Sequence, residues 1–400
     1  MTHLPITHHT LSTALGRGLA DHAAALHDGR SGLQPCDFPD VTLPGWIGQV
    51  RGLDEVTLPA SLADWNCRNH RLAWLALQQD GYAAAVAQAR DRWGAHRIGV
   101  LLGTSTSGIY ETELAYRRRD DGPVGPGSGA LPADFHYGQT HNNGALGRFV
   151  AAALELSGPT WVVSTACSSS AKVYASAQRL IEAGWIDAAV VGGVDSLCLT
   201  TLYGFNALEL FSPEICRPWD ARRSGLSLGE AAAFALVQRE PGPAPAGWLL
   251  GCGETSDGHH MSSPHPEGLG AVAAMRMALA DAGLAPGDID YINLHGTATP
   301  GNDAAEDRAV MAVFGDRVPA SSTKGATGHT LGAAGGVEAS LSLLAIREGL
   351  MPGGLHRQTP DPDLHIAYLG QNRRAPVRRV LSNSFGFGGS NASLVFGGQP

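Results

Sequence analysis

The 400-residue sequence predicts an α/β fold, because apolar strand-like runs alternate with helical stretches along most of the chain. The clearest example is the apolar run 158–164, which is followed by helical spacing over 171–185 and by a second apolar run at 187–192. The second half of the chain repeats this style, and no shorter repeat of about 20–50 residues, the period of solenoid proteins, is visible. We therefore expect helices packed against sheets.

The elements of the first half follow in order from their hydrophobic patterns. Apolar runs predict strands at 97–103, 158–164, 187–192 and 231–238, and helical spacing with a glycine near its end predicts the helix at 171–185. The Pro- and Gly-rich segment 241–247 then interrupts the pattern. It predicts a boundary between two similar units, an N-terminal half at 1–245 and a C-terminal half at 246–400.

The elements of the second half are predicted in the same way. The patterns indicate strands at 247–252 and 290–294, helices at 267–283, 303–314 and 331–349, and strands within 379–396 around a glycine-rich turn. The strand at 290–294 leads directly into His295. A histidine at the end of an apolar strand is expected to emerge into a cleft.

Composition narrows the classes of function. The formal net charge of -9 argues against a nucleic-acid partner, which would favour a basic face. Hydrophobic residues make up 44% of the chain and charged residues 16%, as expected of a compact globular protein. No stretch approaches the roughly 20 apolar residues of a membrane span. The N-terminus also lacks a secretory signal pattern. We therefore expect a cytoplasmic protein.

The six cysteines are widely spaced and include no Cys-x-x-Cys pair. This spacing predicts neither a disulfide framework nor a zinc site, so no metal is expected. Cys167 is the notable one, because it lies in the small-residue run 164–170 (STACSSS) between a strand and a helix. Amides at a helix N-terminus favour a thiolate and can stabilise an oxyanion. From this run alone, a nucleophile and a buried structural cysteine are equally good interpretations.

Three further segments carry chemistry-bearing residues. In the run 293–303, His295 is followed by hydroxyls at Thr297 and Thr299, although for this run alone a histidine satisfied by local backbone is the favoured interpretation. In 321–329, Lys324 and His329 lie five residues apart just before a helix. Glu338 on that helix can point back toward Lys324, or the two can form an ordinary surface pair.

The fourth segment is 383–391 (NSFGFGGSN), in which glycines surround two aromatic residues. Glycines permit unusual backbone dihedrals, so this segment is either a turn with a mobile aromatic or a hairpin with buried phenylalanines. Each of the four segments is only moderately specific by itself. Their joint occurrence in this order is highly specific.

Together the four segments resemble those of the elongating-type β-ketoacyl-acyl-carrier-protein synthases, which are condensing enzymes with the thiolase fold. The similarity extends to 219–225 (WDARRSG) and 257–264 (DGHHMSSP). The resemblance implies two similar halves that form a five-layer α/β/α/β/α sandwich. It also implies a dimer with an identical or homologous synthase-like subunit, and an acyl carrier protein as the partner that presents substrates on phosphopantetheine. No other cofactor is expected.

The resemblance also implies roles for individual residues. Cys167 would be the acylated nucleophile, with His295 and His329 completing its set, and Lys324 and Glu338 orienting that set. The remaining matches are Phe387 as a gating aromatic whose amide joins that of Cys167 in an oxyanion hole, Thr297, Thr299, Ser262 and Ser263 near the pantetheine arm, and Asp303 as a supporting acidic residue. The implied reaction is a decarboxylative Claisen condensation of the acyl group on Cys167 with malonyl-acyl carrier protein.

Single residues distinguish this chain from other classes of protein with the same fold. A thiolase needs a second catalytic cysteine near its C-terminus, and no cysteine follows Cys252. Starter-type synthases place asparagine where this chain has His329. A chain-length-determining subunit usually lacks the nucleophile, which is retained here, and a non-elongating acyltransferase is the other alternative. The polar start of the chain and the alanine after Glu230 depart from the family pattern, which favours a dedicated polyketide, polyene or pigment pathway.

Overall fold

The computed structural model of the chain describes residues 3–122 and 124–399. These residues form sixteen strands and eleven α-helices, in an alternating order. The strands are β1 (Leu4–Thr13), β2 (Gly16–Arg17), β3 (Gln34–Pro35), β4 (Trp46–Gly48), β5 (Ile98–Gly103), β6 (Thr160–Val163), β7 (Ala188–Asp195), β8 (Leu228–Gly229), β9 (Ala231–Gln238), β10 (Gly247–Ser256), β11 (Tyr291–Asn293), β12 (Ala320–Ser321), β13 (Leu350–Met351), β14 (Arg373–Arg374), β15 (Arg379–Gly386) and β16 (Ser390–Gly397).

The helices are α1 (Gly18–Asp28), α2 (Arg68–Leu77), α3 (Tyr82–Trp93), α4 (Ile109–Arg117), α5 (Gly144–Ala153), α6 (Ser169–Glu182), α7 (Leu199–Ala207), α8 (Leu269–Ala282), α9 (Pro300–Phe314), α10 (Lys324–Thr327) and α11 (Ala334–Glu348). The predicted α/β class is confirmed, and every strand and helix predicted from the hydrophobic pattern is present to within a few residues. The helix predicted at 331–349 begins as a short 3₁₀ turn before α11.

The main sheet runs through both halves of the chain in the order β12-β11-β15-β16-β10-β1-β9-β7-β5-β6. Strand β1 joins the halves, because it pairs antiparallel with β9 on one side and with β10 on the other. Both outer ends contain parallel pairs, β5 with β6 and β11 with β12. Parallel strands need crossover helices on the sheet faces, which explains why helices cover this sheet.

Helices lie between the two halves of this sheet and on the outer face of each half, which gives the five layers of the thiolase fold. Helices α6 and α11 contact strands of both halves, including β7, β9, β15 and β16, and therefore form the central layer. One outer layer packs α2 and α5 on the first half, and the other packs α8 and α9 on the second half. The central helices approach closely, because a Cβ atom at Gly335 would lie within 3.0 Å of the Ala171 backbone. Glycine permits that contact.

The polar start of the chain forms a central strand. Strand β1 is almost fully buried although it contains Thr10, Ser12 and Thr13. Two of these hydroxyls are satisfied, since Thr10 Oγ1 donates to Asp80 Oδ2 at 2.7 Å and Thr13 Oγ1 lies 2.9 Å from His22 Nε2. Hydrogen bonds of this kind offset the cost of burying polar groups, so hydrophobicity alone did not predict the strand.

Candidate active site

Cys167 lies in a tight turn between β6 and α6, and 4% of its surface is exposed. The preceding Ala166 has a φ of 51°, a left-handed conformation that is costly for alanine. Two bonds hold this turn: Ser169 Oγ donates to the Ala166 carbonyl at 2.5 Å and accepts from the Thr165 N–H at 2.9 Å. The small residues around the cysteine therefore maintain a strained turn that presents its sulfur at the N-terminal end of α6.

Two histidines from the second half meet this sulfur. His329 Nε2 lies 3.0 Å from Cys167 Sγ, and the His295 ring stands perpendicular to the His329 ring with centroids 5.3 Å apart. The nearest nitrogen or sulfur atoms of the three side chains all lie within 4.8 Å of one another. Residues that are more than a hundred positions apart in sequence thus form one compact, buried set.

Lys324 and Glu338 form a buried ion pair behind His295, with 1% and 2% of their surfaces exposed. The Lys324 ammonium also donates to the His295 carbonyl and lies 3.5 Å from His295 Nδ1. Because an ammonium can only donate, Nδ1 must be an acceptor, and the ring proton then resides on Nε2. This pair therefore fixes the His295 tautomer with its N–H free to face a substrate.

Burial determines the charge states of the three side chains. Desolvation, reinforced by the Lys324 ammonium, lowers the pKa of both His295 and His329 well below the usual histidine range, so both rings are neutral near pH 7. Burial also raises the pKa of the Cys167 thiol to about 12, although the Lys324 charge and the Phe387 amide act in the opposite direction. Desolvation of the Cys167 thiol therefore opposes the effect of the helix N-terminus, which favours the thiolate.

This charge state predicts how Cys167 reacts with an alkylating reagent. With a pKa of about 12 the thiolate fraction increases roughly tenfold per pH unit across the neutral and mildly alkaline range. We expect the rate of iodoacetamide labelling of Cys167, followed by peptide mass spectrometry, to rise steadily with pH and to show no plateau below about pH 10. A plateau near neutrality would instead demonstrate a resting thiolate–imidazolium pair with His329.

Phe387 lies on the glycine-rich turn between β15 and β16, opposite the nucleophile. Its backbone amide acts to lower the pKa of the Cys167 thiol, and its ring lies 5.5 Å from the Phe205 ring. Gly388 and Gly389 follow with φ values of 79° and 72°, which glycine adopts without strain. Phe387 thus lies in the wall of the cavity that also contains Cys167.

The cavity above Cys167 has a volume of about 390 Å³. Beside the cysteine and both histidines, its lining includes the hydroxyl-bearing residues Thr297, Thr299, Ser262 and Ser263. Thr297 and Thr299 are bonded to each other through their hydroxyls at 2.9 Å, whereas Ser262 and Ser263 are partly or fully exposed. The hydroxyls therefore lie along a path that leads outward from the buried sulfur.

Asp303 lies behind this path and does not line the cavity. It is fully buried on α9, and its carboxylate accepts the Trp219 and Ala298 N–H groups at 3.2 Å while Arg223 lies 3.5 Å away. Burial raises its pKa to about 6. Asp303 thus supports the backbone that carries Thr297 and Thr299.

Two buried carboxylates that the sequence analysis did not identify also support the site. Glu306 accepts the N–H groups of His295 and Gly296 at 2.8 and 2.7 Å, and burial raises its pKa to about 7. Asp195, at the end of β7, accepts the Gly332 N–H and the Thr104 hydroxyl. Glu306 lies on α9 while His295 lies in the preceding loop, and nothing in the sequence pairs Glu306 with the His295 N–H or Asp195 with Gly332.

A metal is chemically disfavoured at the cysteine–histidine set. Within residues 3–122 and 124–399, this set is the group of His, Cys, Asp and Glu side chains that is compact enough to hold an ion. The Lys324 ammonium, 3.5 Å from His295 Nδ1, would repel a second cation there. The donors are better suited to a neutral substrate that develops negative charge.

Comparison with known proteins identifies the family. Residues 68–241 match the model of the β-ketoacyl synthase N-terminal domain, and residues 246–358 match that of the β-ketoacyl synthase C-terminal domain. A curated relative, 3-oxoacyl-[acyl-carrier-protein] synthase 2 of Coxiella burnetii, is 33% identical over 95% of both chains. The chain therefore belongs to the β-ketoacyl synthase family. It is a condensing acyltransferase of fatty-acid or polyketide chain elongation.

Solved structures agree with this assignment. A chain of the ketosynthase (ApeO) in complex with its chain length factor (ApeC) from Xenorhabdus doucetiae superposes with a TM-score of 0.89 and 39% identity, over 99% of this chain and 98% of that one. A chain of the ishigamide ketosynthase/chain length factor superposes with a TM-score of 0.88 and 26% identity, over 99% of both. In the described part of this chain, none of the helices has the length and apolar character needed to span a bilayer.

Proposed function

We propose that this chain elongates an acyl group held on Cys167 by decarboxylative condensation with a malonyl group carried on an acyl carrier protein. The observation that carries the proposal is the contact between Cys167 Sγ and His329 Nε2 at the inner end of a cavity, with the His295 N–H beside it. A nucleophile, a proton acceptor and a hydrogen-bond donor are then within reach of one substrate carbon. The retained nucleophile distinguishes the chain from a subunit that only sets chain length.

The first step loads the acyl group. His329 Nε2 takes the Cys167 proton, the sulfur attacks the acyl thioester carbonyl, and the proton passes to the departing carrier thiolate. The amides of Cys167 and Phe387 stabilise the oxyanion of the tetrahedral intermediate. The carrier leaves as a free thiol, and the acyl group remains as a thioester on Cys167.

The second step forms the carbon–carbon bond. Loss of carbon dioxide from the malonyl thioester leaves an enolate whose oxygen accepts the His295 Nε2–H, with His329 beside it. Both rings are neutral, and the dry cavity strengthens such bonds. The enolate carbon attacks the acyl carbonyl, and collapse of the intermediate expels the Cys167 thiolate, which takes a proton from water through His329. The product is a 3-oxoacyl chain on the carrier, two carbons longer than before.

The proposal is tested by mass spectrometry of the intact protein and its products. Incubation with an acyl-carrier substrate should add one acyl mass, localised to the peptide that contains Cys167. Subsequent malonyl-carrier should remove that mass and yield a 3-oxoacyl-carrier. An acyl mass on any of the other five cysteines, or no acyl mass with carrier substrates of short, medium and long chains, would contradict the proposal.

We also propose that the chain pairs with a second synthase-like chain through β6. This strand ends the main sheet, and its free side leaves Trp161 39% exposed and the following Ser164 exposed just before Cys167. An open apolar edge strand is normally covered by another strand. A solved relative pairs a ketosynthase with a chain length factor, which supports a homologous partner, and an identical copy is the other option.

The exposed edge strand β6 predicts the effect of placing a charge at Trp161. Trp161→Asp should abolish pairing, because a carboxylate would be buried against the partner strand. Trp185→Asp is the matched control, since Trp185 is 66% exposed and lies outside the strand. Light scattering should give a mass above the 41.6 kDa of one chain for the wild type, alone or co-expressed with a homologous subunit, and for the control. A paired Trp161→Asp protein would refute this interface.

A further inference from the structure

The outer end of the catalytic cavity carries a cation that the reaction steps above do not use. Arg308 lies on α9 and lines the cavity together with Pro300 and Ala304. These residues are spaced by four, so they lie on one face of the helix. Eight residues of helix rise by about 12 Å, so Arg308 lies about two turns along α9 from its N-terminal turn, and it is exposed to solvent.

The Arg308 guanidinium is held in place but is largely unused. Its Nη1 donates to the Pro266 carbonyl at 2.7 Å, on the same loop that carries Ser262 and Ser263. A guanidinium has five N–H donors, so most of them remain available for a ligand. Among the described residues, no carboxylate lies within ion-pair distance of Arg308.

The acidic side chains around Arg308 are committed elsewhere or exposed. Asp257, which also lines the cavity, accepts Asn391 Nδ2 at 2.7 Å and the His265 N–H at 2.9 Å. Asp307, next to Arg308 in sequence, is buried and accepts the Trp219 indole N–H at 3.2 Å. Glu267 is exposed to solvent. An uncompensated cation at the mouth of a cavity in an acidic chain points to an anionic ligand.

We propose that Arg308 binds the phosphate of a pantetheine thioester while the thioester end reaches Cys167. This inference rests on the proposed function, because it assigns the anionic end of the substrate arm in that reaction. Arginine binds phosphate oxygens bidentately, and Arg308 lines the cavity that leads to Cys167. The phosphate is a diester on a carrier protein and a monoester in free phosphopantetheine, and Arg308 would recognise both.

The proposal is tested by comparing acyl-pantetheine, acyl-phosphopantetheine and acyl-carrier as donors to Cys167. For the wild type we expect kcat/KM to be about tenfold or more higher for acyl-phosphopantetheine than for acyl-pantetheine, the gain typical of a charge-assisted contact. Arg308→Ala should remove this preference, because it should lower the rate with acyl-phosphopantetheine far more than the rate with acyl-pantetheine. Arg308→Lys should restore part of it, since lysine contributes charge without the bidentate fork.

Arg276→Ala is the matched control. Arg276 is exposed on α8 and donates to the Ala312 carbonyl, but it does not line the cavity. We expect Arg276→Ala to keep the phosphate preference. An equal loss with both small donors in Arg308→Ala would show a merely structural role and overturn the proposal, as would an unchanged preference. A loss seen with acyl-carrier alone would assign Arg308 to the carrier surface and overturn it as well.

A second readout separates this proposal from the condensation itself. Phosphopantetheine should slow iodoacetamide labelling of wild-type Cys167 more strongly than pantetheine does, and Arg308→Ala should erase that difference. This measurement needs no acyl transfer, so it can succeed or fail independently of the proposed reaction. Equal protection by both compounds in the wild type would overturn the phosphate contact even if acylation of Cys167 is observed.

Discussion

Cys167→Ala is expected to lower the rate of 3-oxoacyl product formation by more than about 1000-fold, because alanine cannot hold the acyl group that the enolate attacks. Malonyl decarboxylation should persist in this variant, since it needs the His295 N–H and the cavity but no nucleophile. The substitution removes a single sulfur atom from a buried turn, so the fold should be retained. Mass spectrometry of the carrier should therefore show acetyl-carrier accumulating without 3-oxoacyl-carrier.

The reciprocal variant makes this result diagnostic. His295→Ala should lower decarboxylation by about 100- to 1000-fold, the usual effect of deleting one oxyanion donor. Its self-acylation should fall by less than about tenfold, because the 3.0 Å contact between Cys167 Sγ and His329 Nε2 remains. Equal loss of both activities in His295→Ala, or loss of decarboxylation in Cys167→Ala, would contradict this division of roles.

The residues of this division could be found in the sequence because each occupies a short run with unusual chemistry. Cys167 lies among small hydroxyl-bearing residues between a strand and a helix. Lys324 and His329 lie five residues apart, just before another helix. Such local patterns identify candidates, yet they do not show that His329 meets Cys167, since 162 residues separate them. Only their joint resemblance to a known family implied the contact that the structure displays.

The supporting carboxylates could not be predicted from the sequence, and the reason is physical. Asp195 fixes the turn after His329 by accepting the Gly332 N–H, across 137 positions and between the two halves of the chain. Its partners are backbone N–H groups, which nearly every residue possesses, and the common hydroxyls of Thr104, Ser105 and Thr106, so no distinctive residue type marks them. Strand β1 was missed similarly, because its polar side chains are satisfied by partners such as Asp80 on other elements. Tertiary hydrogen bonds, and not local hydrophobicity, decide such positions.

The protonation state of Cys167 could not be predicted from the sequence either. The position of Cys167 before α6 predicts a thiolate if the helix N-terminus dominates. In the fold, 4% of the Cys167 surface is exposed, and desolvation raises the pKa of its thiol to about 12. The degree of burial depends on how Phe387 and both histidines close over the sulfur, which the sequence does not encode locally. A buried thiol of this kind needs a nearby proton acceptor, and His329 Nε2 lies 3.0 Å from the Cys167 sulfur.

Lys324→Ala is expected to destabilise the protein by about 3–5 kcal/mol, because it leaves the Glu338 carboxylate buried without its cation. It should also lower decarboxylation by about 100-fold or more, since His295 Nδ1 loses the donor that keeps the ring proton on Nε2. Urea unfolding measures the first effect, and carbon dioxide release from malonyl-carrier measures the second.

The paired variant Lys324→Met with Glu338→Leu separates the two effects. Replacing a whole buried ion pair by apolar residues of similar size often preserves stability, so the double variant should unfold near the wild-type urea midpoint. Its decarboxylation should remain low, because methionine offers His295 Nδ1 no proton. Recovery of decarboxylation together with stability would show that the pair serves only the fold. Recovery of stability alone would show that Lys324 positions the His295 donor. The free-energy cost of desolvating the Lys324 charge would then be offset by its effect on the reaction.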